Sequence, residues 1–327
     1  MQDLHQISVV MPMRNAAAWL PALLAALVKD WHTGFELIAV DDGSSDGSGE
    51  LLQRLCAHWP RERWQLIRAG GQGVSAARNL GVQRSRAPLI AFLDADDRPL
   101  PGRLCLPMQH LHHRPQLSHV HGGWWRCDAA GRYQHLVTPW TEGAGFHWRS
   151  FMEHKAVLPS AWTVRRRAFE AVGGFDTTLR HSEDVDLLLR LAASGHQGAW
   201  IQKPLVRYRL HHANASSKLW PQLQGLLQVL ERHLRNLPPS EAAWAREQRY
   251  STTTWAVWQA WHAGDAALAL KLLAQALPDC PYPLVRRPVH LIEVMARSSA
   301  RIGAPFDRHQ LLASRFWQQA ETLLLQR

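Results

Sequence analysis

Residues 89–93, LIAFL, are an uninterrupted apolar run, and the run ends in Asp94, Asp96 and Asp97. An apolar run of this length between turn signals reads as a strand buried on both faces. A strand of that kind belongs in a parallel sheet covered by helices. Three carboxylates so close together repel one another unless something positive lies among them. A divalent cation, which takes carboxylate oxygens, answers that need. A solvated acidic turn between strand and helix is the other reading of the same residues.

The same pattern recurs along the first hundred residues. QISVVMP (6–12) reads as a strand, followed by Arg14, Asn15 and an apolar helical stretch, AAAWLPALLAALV. FELIAV (35–40) is a second strand and runs into Asp41-Asp42-Gly43-Ser44-Ser45-Asp46-Gly47-Ser48, with Ser48 placed to cap a helix over 49–58. WQLIR (64–68) is a third, followed by AGGQG and a helix over 74–85 that carries Ser75, Arg78 and Asn79. Strand alternating with helix predicts an α/β fold with a parallel sheet and helices on both faces. Ligands of such sheets bind at the carboxyl ends of the strands, where these polar clusters fall.

After residue 100 the pattern loosens. Short strands and loops are expected over 118–150, a strand and short helix over 160–172, a turn at Gly173-Gly174-Phe175-Asp176 and a helix over 183–194 closed by Gly195. GAWIQ and LVRYRL lead as strands to His211, His212, Asn214 and Ser216. From about 218 the sequence is helical, with a break at PDCPYP. Within it, 254–278 is similar to one helix pair of a tetratricopeptide repeat, and a single pair reads as packing rather than an array.

Composition narrows the partners. The formal net charge is +10, with 16 Trp among 327 residues. A basic surface favours anionic partners, among them nucleotide-activated substrates and anionic lipid. No compact Lys/Arg tract of the nucleic-acid-binding kind is present, and no nucleic acid is expected. The four cysteines, Cys56, Cys105, Cys127 and Cys280, form no CxxC pair, which disfavours a zinc site or a disulfide framework and suits a reducing compartment. The first residues lack a signal-peptide pattern, and no apolar run is long enough to span a membrane.

ISVVMPMRN, VDDGSSDGS, GVSAARNLGV, LIAFLDADD, VGGFD, SEDVDLLLRL and YRLHHANAS stand in the order and spacing of the family 2 glycosyltransferases. The ordered set resembles that family over about residues 6–217, although each motif alone is weak. The resemblance implies the GT-A fold: a Rossmann-like, mostly parallel sheet with helices on both faces, here with an all-α C-terminal extension. It implies a nucleotide-sugar-binding half (1–100), an acceptor-binding and catalytic half (101–217) and the helical extension (218–327), with the repeat-like helix pair at about 246–278.

The site residues implied by the resemblance are these. Asp42 accepts a hydrogen bond from the pyrimidine of the nucleotide, and Asp41 supports the turn or the ribose. Pro12 and Asn15 shape the base and ribose pocket, Arg78 faces the nucleotide, Asp94 points toward the ribose or a metal-bound water, and Ala95 lies on the donor side. Asp96 is the direct metal ligand and His211 completes the metal shell, with His212 as its rival; imidazole favours Mn2+ over Mg2+. Asp97 is a helper or a helix cap. Asp184 matches the catalytic base, with Glu183 beside it; both acids at a helix start could instead serve the helix dipole. Gly173 and Gly174 allow close backbone approach, and Trp162 either stacks on a sugar or packs in the core. Gly71-x-Gly73-x-x-Ala76 follows the third strand, not the first, and is discounted as a dinucleotide fingerprint.

The function that follows is a metal-dependent, inverting transfer of a hexosyl or N-acetylhexosaminyl group. The donor is a nucleoside-diphosphate sugar, expected to be UDP-linked, and the acceptor a hydroxyl of a glycan or lipid-linked glycan in polysaccharide biosynthesis. Alternatives are the same chemistry on a peptide or protein, a nucleotide-sugar binding protein without turnover, and a nucleotidyltransferase. A nucleotidyltransferase would want a basic, Gly-rich triphosphate loop, which MPMRN does not supply. The expected place is the cytoplasm, with the basic, Trp-rich tail either touching the inner face of the plasma membrane or forming its own helical core.

Overall fold

In the computed structural model the described residues are 6–142, 145–155, 157–211, 214, 218–235, 237–301 and 303–326. The chain divides into two compact units, Met1–Ala213 and Asn214–Arg327.

The first unit opens with the alternation expected: β1 (Ile7–Met13), α1 (Leu20–Leu27), β2 (Glu36–Asp41), α2 (Ser48–Leu55), β3 (Trp64–Arg68), α3 (Val74–Arg84) and β4 (Leu89–Phe92). The four strands pair in parallel in the order β3-β2-β1-β4. Every residue of β1, β2 and β4 is buried, as strands covered on both faces require. Ile7, Val9, Met11, Leu37 and Ala39 join the core that also holds Leu20, Leu23 and Leu27 of α1 and Leu52 of α2. Ile38 and Val40 point the other way, into a smaller cluster with Ala77 of α3. The period of two along the strands therefore sends alternate residues to two helical layers. On the second face α3 lies close to the sheet because residue 81 is glycine: a Cβ there would stand 2.5 Å from Val10 Cγ1.

The sheet then continues with mixed pairing. β5 (Arg98–Pro99), α4 (Cys105–His113), β6 (Leu117–Cys127), β7 (Tyr133–Val137), α5 (Trp148–His154), β8 (Trp162–Arg165), α6 (Arg166–Ala171), α7 (Glu183–Ala193) and β9 (Gln197–Arg209) complete the unit. β8 runs antiparallel between β4 and β6, and β9 runs parallel to β6. The path β3-β2-β1-β4-β8-β6-β9-β5 is thus one sheet, with β7 on the side of β6. Two expectations change here. Residues 117–127 form one long strand rather than several short ones. It is buried along most of its length, so the alternation that marks a half-exposed strand is missing. GAWIQ and LVRYRL are likewise one strand, which absorbs the intervening Lys203-Pro204 by a register shift against Gly122 and Gly123.

Two smaller corrections concern side chains. Trp162 is fully buried against Phe92 and His119, so it is a core residue and stacks on no sugar. Ser48 is the first residue of α2 and caps nothing, since the cap position falls on Gly47 with φ of 79°. Its hydroxyl instead accepts the Ala16 N–H at 2.7 Å, linking the ends of β1 and β2.

The second unit is helical: α8 (Leu219–Leu234), α9 (Ala242–His262), α10 (Ala266–Ala276), α11 (Arg287–Arg301), α12 (Arg308–Ala313) and α13 (Arg315–Leu324). It has a core of its own, including Leu223, Trp258, Leu272, Leu273, Met295 and Phe316. α9 and α10 form the helix pair read from the sequence. Their connection turns at Gly264 with φ of 82°, and Asp265 caps α10 by accepting the Leu268 N–H at 2.9 Å. No helix among the described residues is long and apolar enough to cross a membrane.

Candidate active site

The polar clusters meet at the carboxyl ends of β1, β2 and β4. The turn after β2 is tied to the segment after β1 before any ligand arrives. Asn15 adopts φ of 52°, a left-handed conformation that Asn tolerates. Its amide oxygen accepts the Ser45 N–H at 2.8 Å, and its own N–H donates to Ser44 Oγ at 3.0 Å. Asp46 accepts the Ala17 N–H at 3.0 Å. Pro12 lies buried within β1. Asp41 accepts the Ser44 N–H at 2.9 Å and so holds its own turn. Asp42 accepts the N–H groups of Gln72 and Gly73, each at 2.8 Å, one on each carboxylate oxygen. It pins the glycine-rich segment 70–73, and each of its oxygens has a second lone pair.

The Asp94–Asp97 segment is held from behind by buried polar groups. Arg103 is 1% exposed, and its guanidinium donates to the carbonyls of Ser160, Phe92 and Trp162 and to Thr163 Oγ1. Burial pushes this arginine down to about 10. Ser160, wholly buried, accepts the Asp94 N–H at 2.9 Å. The sequence carries no motif for this support, because three of the four acceptors of Arg103 are backbone carbonyls of residues far from it in sequence.

Arg78, 3% exposed, stands between two carboxylates: Asp94 at 2.7 Å and Glu183 at 2.8 Å. Burial would lower its pKa, but the charges of Asp94 and Glu183 hold it above the ordinary arginine value. Glu183 is therefore turned inward onto Arg78 and is largely buried. Asp184, its neighbour, keeps partial exposure, and its carboxylate accepts only the Val185 N–H at 2.8 Å among the described contacts. Burial, and then the charge of Glu183, push Asp184 up to about 7. Val185, Leu187, Leu188, Leu189 and Leu191 are buried and anchor α7 in the core. The preceding turn is clamped from both sides. Asn79 exchanges two hydrogen bonds with the Phe175 backbone, and Arg190 donates to the Gly174 carbonyl at 2.7 Å. Gly173 has φ of 80°, and a Cβ added there would meet nothing within 4 Å, so the turn presents bare backbone to open space.

Asp96 and His211 come together from residues far apart in sequence, with Nε2 3.0 Å from Oδ2. Trp19 stacks on the His211 ring at 5.4 Å. Arg209 donates its N–H to Asp97 Oδ1 at 3.1 Å and its Nε–H to the Asp96 carbonyl at 3.2 Å. Asp97 is 2% exposed, caps no helix, and leaves Oδ2 buried with no hydrogen-bond partner among the described residues. Burial, then repulsion from Asp96 and Asp94, hold its carboxyl well above the usual range. Asp94 is raised too, by burial first, with Arg78 opposing. Ala95 is buried between them. An orphaned carboxylate oxygen and an excess of negative charge suit a divalent cation. Among the described residues no three His, Cys, Asp or Glu side chains converge on one point, so a cation here would take Asp96 and His211 from the protein and other donors from a ligand. His212, with most of the segment 212–217, lies outside the described residues.

Known proteins share this architecture. Mannosyltransferase PcManGT of Pyrobaculum calidifontis, solved with GDP-Man and Mn2+, superposes with a TM-score of 0.60 at 16% identity, covering 98% of this chain and 84% of that one. Residues 1–349 of Staphylococcus aureus TarS, in complex with UDP-GlcNAc, superpose with a TM-score of 0.62 at 13% identity over 92% and 93%. The fold is therefore GT-A with a helical C-terminal region. In sequence, a glycosyltransferase of Rickettsia bellii is 24% identical over 211 residues, 64% of this chain and 30% of its own length. The pre-mycofactocin glycosyltransferase of Mycobacterium tuberculosis is 32% identical over 207 residues, 58% of this chain and 40% of its own. The chain thus spans less than half the length of either relative. The family model described as glycosyl transferase family 2 matches residues 8–173, just over half of the chain, and takes in the Asp42 turn, Arg78 and the Asp94–Asp97 segment. With that match and the GT-A sheet that carries those residues, the chain belongs to glycosyl transferase family 2.

Proposed function

We propose that this chain is an inverting glycosyltransferase that moves a sugar from a nucleoside-diphosphate sugar, UDP-linked, to a hydroxyl of a glycan or lipid-linked glycan. The observation that carries the reading is the division of labour among the carboxylates. Glu183 and Asp94 are neutralised by Arg78, Asp96 faces His211, and Asp184 keeps a raised, partly exposed carboxylate with no ion pair among the described residues. Pairs of acids pushed apart in this way mark acid–base assignments.

The segment after β1 and the turn after β2 would hold the nucleotide, with Asp42, Asp41, Asn15 and Pro12 around base and ribose. Asp96 and His211 would hold a divalent cation, Mn2+ in preference to Mg2+, whose chemistry there is to neutralise charge on the departing diphosphate. Asp184 takes the proton from the acceptor hydroxyl as its oxygen bonds to the anomeric carbon. The bond from that carbon to the phosphate oxygen breaks, and its electron pair leaves with the nucleoside diphosphate. A base poised near neutrality suits this step, because it accepts a proton while remaining largely ionised at slightly alkaline pH. The bare backbone at Gly173 would border the reacting sugar.

The test is calorimetric titration of UDP and GDP with and without Mn2+, followed by donor hydrolysis across a panel of nucleotide sugars. Wild type and Asp184→Asn should both bind UDP in the presence of Mn2+, and Asp96→Asn should lose the metal dependence. Asp184→Asn should lose transfer and hydrolysis by about 10²- to 10⁴-fold. Equal turnover by Asp184→Asn and wild type would remove the base assignment, and metal-independent binding would remove the cation.

A further inference from the structure

Beside the Asp94–Asp97 segment the sheet ends in a small basic and aromatic platform that none of the roles above uses. Arg98 follows Asp97 directly and pairs across β5 and β9 with Arg207. Residues opposite each other on paired strands project from the same face, so two guanidinium groups share one patch, about 5 Å apart at the backbone. Like charges so placed oppose folding unless a counter-charge is supplied. Among the described residues neither arginine has a carboxylate in ion-pair range, and Arg207 Nε is buried without an acceptor. On the same face Trp125 is the β6 neighbour of Arg207 and meets Tyr133 of β7 edge to face at 5.0 Å. The Arg207 guanidinium lies 4.3 Å over the Tyr133 ring, which is 48% exposed. Two unpaired guanidinium groups next to an exposed aromatic edge suit a sugar ring that bears a tetrahedral anion, since guanidinium groups bind phosphate oxygens through paired N–H donors.

We propose that Arg98 and Arg207 form an acceptor subsite for a phosphate group, and that the acceptor is a phosphate-bearing saccharide whose ring rests on Trp125 and Tyr133. The patch borders the site: Arg98 follows Asp97 directly, and Arg209, two residues beyond Arg207, donates its backbone N–H to Asp97. The subsite deepens the glycosyltransferase reading and rests on it.

The test uses the full chain saturated with UDP and Mn2+, so that the donor side is filled. Glucose 6-phosphate, glucuronic acid and glucose are titrated by calorimetry against wild type, Arg98→Gln/Arg207→Gln and Tyr133→Ala. Glucose 6-phosphate should bind wild type at least tenfold more tightly than either other sugar. The double variant should lose that preference, Tyr133→Ala should weaken all three sugars, and UDP affinity should stay within twofold of wild type throughout. Equal binding of the three sugars by wild type would overturn the subsite, and so would a preference that survives in the double variant. A double variant that loses UDP affinity would assign the two arginines to the donor and overturn it equally. Failure of wild type to bind any nucleoside diphosphate with metal would instead remove the glycosyltransferase reading, and it is seen in the first titration, before any sugar is added.

Discussion

Replacing Arg78 by Met tests the electrostatic frame of the site most directly. The guanidinium is 3% exposed and bonds Asp94 at 2.7 Å and Glu183 at 2.8 Å. Methionine fills much of the same volume but leaves two carboxylates facing each other without a cation. Removing one partner of a buried charge network costs about 3–5 kcal/mol, because the charges left behind are uncompensated. The loss should depend on pH. Asp94 is already raised by burial with Arg78 opposing, so without Arg78 its carboxyl should lie further above its unfolded value of about 4. A carboxyl raised in the folded state stabilises that state below its unfolded pKa, and the contribution is lost as pH rises through the folded pKa. The deficit of the variant should therefore be small at about pH 4–5 and full at about pH 8. Urea unfolding followed by circular dichroism at both pH values measures it, read as a shift in midpoint at constant slope. Adding Glu183→Gln to the variant should recover part of the loss at pH 8. A deficit below about 1 kcal/mol at pH 8, the range of an exposed pair, or an equal deficit at both pH values, would refute the reasoning.

Other outcomes follow from the same geometry. With Asp184 pushed up to about 7, kcat/KM should climb as pH rises through that value, the base being ionised above it, and Asp184→Asn should flatten that limb. Ser160→Ala leaves the Asp94 N–H without its acceptor and should cost about 1–3 kcal/mol of stability, with weaker Mn2+ binding measured by electron paramagnetic resonance. Gly81→Ala places a Cβ 2.5 Å from Val10 Cγ1 and should destabilise by about 1–3 kcal/mol, with Val10→Ala in the same chain restoring part of the melting temperature.

The sequence was most informative where local pattern and chemistry coincide. β1, β2 and β4 are short apolar runs closed by turn residues, and buried parallel strands have few other ways to be written. Asp96 and His211, 115 positions apart, could be paired only because the ordered motifs resemble a family; nothing in either local segment points to the other. The inward turn of Glu183 was not legible, since two acids at a helix start look alike until the position of Arg78 is known. Arg103 and Ser160 left no signal, because one binds carbonyls that every residue has and the other is a lone serine beside a proline. Over β6 the sequence reads as fragments, because Gly122 and Gly123 look like loop residues. Both in fact sit where a side chain would collide with neighbours: at Gly122 with Leu205, at Gly123 with the Val137 carbonyl.

On the proposed nucleotide site, the cross-links between the ends of β1 and β2 bear on how such a chain can change its donor. Asn15, Ser44, Ser45, Asp46 and Ser48 hold one another through side-chain to backbone bonds, and Ser48 also reaches the Ala16 N–H. A substitution at any one of them is felt at both strand ends, so their effects should be strongly non-additive. Drift toward a different nucleotide would then proceed in correlated groups of replacements across these two segments, while the single replacements that break the lattice would be lost along the way.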